Sequence, residues 1–170
     1  MTEPKDLLFH TFMRVARSLR IRHYRGHGIH SPFAYGIARG ICMHRRSLPR
    51  TGTVYSAVIK CGGSRREAGL VQALYAYAQC TECSIDGEPA VRPRDTQADG
   101  RAMEVATGIA AAEAASPYAY VTCLLAPARN REWYRYCRTA AKRHEGMGID
   151  CRDALFLFRD NGLNREHLKL

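Results

Sequence analysis

The sequence has no run of about 18 apolar residues, so no segment reads as a helix that crosses a bilayer. The opening MTEPKD lacks the basic stretch and apolar core of a secretory leader, and the expectation is a cytoplasmic protein without membrane contact. Also missing are a G-x-x-x-x-G-K-[ST] loop, a G-x-G-x-x-G fingerprint and a G-x-S-x-G elbow, which argues against nucleotide hydrolysis, NAD chemistry and a serine nucleophile. Cys80-x-x-Cys83 has metal or redox spacing, but no second C-x-x-C or His pair follows at a finger-like distance, so no metal is assigned. Acidic residues are scarce early in the chain. Residues 1–50 hold ten Lys/Arg against Glu3 and Asp6, a surplus of eight out of the total net charge of +10.

What is present is enough for one domain: 170 residues, 46% of them apolar, bury a sizeable core. Cysteines 42, 61, 80, 83, 123, 137 and 151 are odd in number and mostly embedded in apolar runs, as reduced thiols acting as small hydrophobes would be. The chain divides into a basic helical arm, 1–50, and an α/β domain, 51–170. In the arm, Leu8, Phe12, Val15, Ala16 and Leu19 give residues 4–20 the spacing of an amphipathic helix. Ser31-Pro32 then marks a second helix start, over PFAYGIARGICMHRR, with serine as cap and proline at the first helical position. His23, His27 and His30 lie between the two, where with Gly26 and Gly28 they shape a turn; Phe33 and Tyr35 are expected to pack beneath it.

From Thr53 onward, short apolar runs alternate with helical ones, the pattern of βα units around a mostly parallel sheet. TVYSAVIKC reads as a strand, REAGLVQALYAYAQ as a helix and TECSID as a strand, with GEPAVRPRDTQADG a polar loop. MEVATGIAAAEAA reads as a helix, YAYVTCLLA as a buried strand, and NREWYRYCRTAAKRHEG as a helix stopped by Gly146. MGIDC and ALFLFR flank Arg152-Asp153 as an antiparallel hairpin, and Asp150 and His167 beside it read as structural, His167 in an edge strand.

Three segments, GHGIHSPFAY (26–35), VIKCGGSRREAGL with ECSIDGEP (58–89), and IDCRDALFLFRDNGLNREHLKL (149–170), resemble the start, cofactor region and end of a group of bacterial class I S-adenosylmethionine (SAM)-dependent methyltransferases. The resemblance implies a three-layer Rossmann-like sheet with a C-terminal antiparallel hairpin, here at least one strand short because little chain separates Asp86 from Tyr118. It leaves open whether Tyr118–Ala126 is the fourth or the fifth strand of that sheet, with Trp133 favouring the fifth. It further implies that Gly62, Gly63 and Ser64 face SAM and that Asp86, or Glu88 beside it, accepts the ribose hydroxyls. Two positions depart from the family pattern: Lys60 stands for its acid and Arg66 for its third glycine. A turn at Asp86-Gly87 explains those residues without a ligand.

Two functions follow. One is methyl transfer to a small-molecule or other acceptor, with no catalytic base assigned. The other is a non-catalytic module of the same fold whose basic arm engages nucleic acid or an acidic protein. A homodimer built on the arm helices is a third possibility.

Overall fold

The computed structural model describes residues 9, 29, 31–43, 47–92, 100–159 and 167–170. The helix expected at 4–20, apart from helical Phe9, and His23, His27 and His30 lie outside them. Helix α1, Pro32–Gly36, starts as its sequence requires: the Ser31 hydroxyl accepts the Ala34 N–H and proline occupies the first turn. It continues as a π-helical stretch, Ile37–Cys42. Although the sequence places this segment in the arm, Ala34, Ile37, Ile41 and Cys42 are buried in the same core as the sheet. Phe33 packs there too, whereas Tyr35 is 43% exposed; the turn expected above them lies outside the described residues.

The next element corrects the sequence reading. Thr53–Lys60 is a helix, α2, and not a strand. Its β-branched residues favour a strand only weakly. Val54 and Val58, four apart, bury on one side, and the Tyr55 N–H donates to the Gln72 side chain at 3.1 Å, satisfying one of the donors that a helix start leaves open. Arg65–Tyr77 follows as α3 and buries Ala68, Leu70, Val71 and Leu74.

Seven strands form one mixed sheet: β1 (Glu82–Ile85), β2 (Glu88–Val91), β3 (Ala102–Ala106), β4 (Val121–Leu125), β5 (Met147–Asp150), β6 (Ala154–Phe158) and β7 (His167–Lys169). Their order is β2-β1-β3-β4-β6-β5-β7. The pairs β1/β3, β3/β4 and β5/β7 are parallel; β1/β2, β4/β6 and β5/β6 are antiparallel. Two strands were not foreseen. β2 lies within the expected polar loop, and its Pro89 is tolerated because β2 is an edge strand. β3 takes the first four residues of the expected helix MEVATGIAAAEAA, leaving only Ile109–Ala114 as α4. The described sheet is therefore not a strand short of seven; its strands are distributed differently.

Helix α5, Arg131–Arg143, is capped by Asn130, whose side chain accepts the Trp133 N–H at 2.8 Å. Central strands β4 and β6 are buried on both faces, and their alternate residues serve two cores. Val121, Cys123, Leu125, Phe156 and Phe158 meet α1, α2 and α3 on one face. Leu124, Leu155 and Leu157 meet α4 and α5, with Trp133 and Cys137, on the other. Cysteines 42, 80, 83, 123, 137 and 151 are buried and Cys61 is exposed. Burial pushes the thiols of Cys80, Cys83 and Cys137 up to about 12, so they behave as small hydrophobes rather than nucleophiles. No described helix is long and apolar enough to cross a membrane.

Candidate functional site

Strands β1, β3, β4 and β5 point the same way, and their carboxyl ends form one edge of the sheet. Open α/β sheets bind ligands at such an edge, where loops leave the strands. Four features meet there: Asp86 after β1, Thr107-Gly108 after β3, Ala126 after β4, and the Arg152-Asp153 turn between β5 and β6. The Ala126 N–H donates to the Asp153 carbonyl at 2.8 Å, and Arg66 at the start of α3 pairs with the Asp153 carboxylate at 2.5 Å. The N-terminus of α3 is thereby fixed to this edge. Arg66, expected to stand where close packing needs glycine, instead finds a partner in a turn far along the chain.

The loop expected to cradle a cofactor is a turn between two helices. Each of its backbone donors is already used. The Gly62 N–H donates to Ile59 and the Gly63 N–H to Val58, at 3.0 and 2.9 Å. The Ser64 N–H donates to the Glu67 carboxylate at 2.6 Å, and the Glu67 N–H returns to the Ser64 hydroxyl at 3.2 Å, completing a capping box. Gly62 is glycine because its φ is +82°. Gly63 is glycine because a methyl group there would lie 2.9 Å from the Val58 carbonyl oxygen. Both are explained by the turn alone. Lys60 ends α2 and is exposed. Replacing Ser64 with alanine is expected to cost about 1 kcal/mol in urea unfolding, and Ser64→Asp to recover most of it. An unchanged midpoint in Ser64→Ala would show that the capping box is not formed.

Asp86 and Gly87 make the tight turn between β1 and β2, both with positive φ (+51° and +85°), and Ile85 is registered against Glu88. The turn reading of these residues is therefore the one the geometry realises. The Asp86 carboxylate also accepts from the Thr107 N–H at 2.7 Å and from the Thr107 hydroxyl at 2.6 Å. Glu88 is exposed at the start of β2. No hydrogen bond or ion pair among the described residues joins 62–64 to Asp86 or Glu88. The five expected cofactor residues thus fall into two groups, each occupied with its own turn.

Compared with family models, with curated proteins and with solved structures, the chain matches none.

The residues that the sequence reading passed over are Thr107, Gly108 and Arg129. β3, Thr107-Gly108 and α4 form the strand, turn and helix that were sought at 58–70. The loop is held from both sides, since Asp86 takes the Thr107 donors and Arg129 donates to the Thr107 carbonyl at 3.2 Å. A side chain at Gly108 would meet open space. The signal was the Thr-Gly pair inside a small-residue run, masked by the helix propensity of the alanines after it.

Proposed function

We propose that the chain is a SAM-dependent methyltransferase-like protein that serves as a binding module and no longer transfers methyl groups. The observation that carries this reading is the internal use of every backbone N–H from Gly62 to Ser64. A loop that holds a ligand by close backbone approach needs free donors, and this one has spent them. The kinship rests on the three resembling segments. It is supported by a sheet in which antiparallel β6 lies between β4 and β5 as a closing hairpin. The position of β4 directly beside that hairpin favours its reading as the fifth strand of a Rossmann-like family sheet.

The basic surplus of residues 1–50 points to a polyanionic partner, nucleic acid or an acidic protein surface. Nucleic-acid binding predicts affinity that falls steeply with added salt; a flat response removes nucleic acid and leaves the acidic protein.

A second reading, an active methyltransferase with a small-molecule acceptor, is favoured by the turn at Thr107-Gly108. In it, SAM sits at the carboxyl edge and the free lone pairs of Asp86 take its ribose. Calorimetric titration of SAM into the purified chain separates the two. No heat is expected up to millimolar SAM. Micromolar binding that disappears in Asp86→Ala overturns the binding-module reading and establishes the second.

A further inference from the structure

Among the described residues, α4 and α5 cover only part of their face of the sheet. Helix α4 ends at Ala114, and chain 115–120 turns away to begin β4, leaving a cavity of about 730 Å³ between α4, α5 and the β4/β6 pair. Its walls are Leu124, Leu157 and Ala140, one side is Tyr136, and Arg143 and Arg159 stand on its rim. The volume is in the range of small-molecule sites, and the lining sets apolar side chains beside a larger accessible polar surface. Pro117 before β4, residues 143–146 before β5 and Arg159 after antiparallel β6 all border the cavity, so it lies at the amino edge of the sheet. The carboxyl edge discussed above is at the opposite end.

The polar groups favour an anion. Arg143 is exposed and its guanidinium makes no hydrogen bond or ion pair among the described residues. Arg159 is held over the opening by donating to the Pro117 carbonyl, which orients the guanidinium while leaving its other donors available. Glu145 is an opposing charge on the same lining, and burial lowers the pKa of His144, favouring its neutral form. The lining carries two arginines against one glutamate. Thr122 is also part of it, 6% exposed, and its buried hydroxyl has no hydrogen-bond partner.

We infer that this cavity binds a small organic anion with a flat apolar body, its ring between Leu124, Leu157 and Tyr136 and its charge on Arg143 and Arg159. The apolar body matches the Leu124, Leu157 and Tyr136 side of the lining, and the planar guanidinium groups match a carboxylate in two-point hydrogen bonding.

The chain carries its own reporter. Trp133, the single tryptophan, stacks on Tyr136 with ring centroids 5.4 Å apart and an interplanar angle of 11°. The probe is 2-naphthoate, titrated into the whole chain while Trp133 fluorescence is followed, with neutral naphthalene-2-carboxamide as the matched control. Saturable quenching by the carboxylate is expected, with the amide binding at least about tenfold more weakly. Arg143→Glu, an exposed substitution that leaves the core alone, is expected to weaken naphthoate by at least about tenfold. Ala140→Phe, which projects a ring into the cavity, is expected to remove saturable quenching. Absence of saturable quenching in the parent chain overturns the inference. So does equal affinity for the amide, or full retention of binding in Arg143→Glu. None of these results bears on SAM at the other edge.

Discussion

Phe158→Ala is expected to destabilise the protein by about 3–5 kcal/mol, seen as a lower urea midpoint at unchanged slope. The size follows from where the ring sits. Phe158 is fully buried at the end of β6, registered against Val121 of β4 and Met147 of β5. Its ring meets Phe33 edge-on at 5.3 Å and Tyr120 at 6.0 Å. Truncation removes the transfer free energy of the ring, leaves a cavity that neighbours on three elements cannot all collapse into, and loses two aromatic pairs worth about 0.5–1.5 kcal/mol each. Phe33 belongs to the Ser31-Pro32-Phe33 element, so the same substitution tests how that element docks on the sheet. Phe33→Ala combined with Phe158→Ala should cost less than the sum of the two, because the pair is in contact. A loss below about 1 kcal/mol for Phe158→Ala, or strict additivity, would mean that α1 does not pack on β6.

The second large effect belongs to Gly146. Gly146→Ala is expected to cost about 2–3 kcal/mol, in the upper range of overpacking. A methyl group there would overlap the Phe158 carbonyl oxygen and come within 2.9 Å of the His144 ring. The obstacle is backbone, so no rotamer change relieves it. That carbonyl also accepts from His144 Nε2 at 2.7 Å, which fixes the proton on that nitrogen. The chain must therefore either lose this hydrogen bond or open β5 from β6 at the Met147–Phe158 end. Gly40→Ala is the control, since a side chain at Gly40 meets nothing within 4 Å. It is expected to be neutral or to stabilise by up to about 1 kcal/mol through the unfolded chain. Equal effects of the two substitutions would show that the close approach at Gly146 is absent.

Gly146 also illustrates how much was legible in advance. Its sequence position suggested a helix stop, but α5 ends at Arg143 with His144 as cap, and Gly146 is glycine for the sake of a strand that follows it in the sheet. Helix ends are written in neighbouring residues; a neighbour such as Phe158 is not. The same distinction separates the site residues. Asp86-Gly87 was readable as a turn, but its bond to Thr107 depended on β3 lying beside β1, a pairing 20 residues apart in sequence.

By itself the sequence determined the elements whose signals are short-ranged. The serine cap and proline of α1, the helical runs of α3 and α5, the apolar runs of β1, β4, β5 and β6, and the two-residue connection at Arg152-Asp153 all stand where it placed them. Tertiary structure decided the rest. Thr53–Lys60 has the residues of a strand and is a helix, because the Val54 and Val58 side found a surface to bury against and Gln72 reached its open N-terminus. β2 and β3 became strands because β1 offered them partners on both sides. That choice turned the glycine loop into a link between two helices and left the strand, glycine and helix at Thr107-Gly108 instead. It follows from burial and pairing between distant segments, which no local pattern encodes.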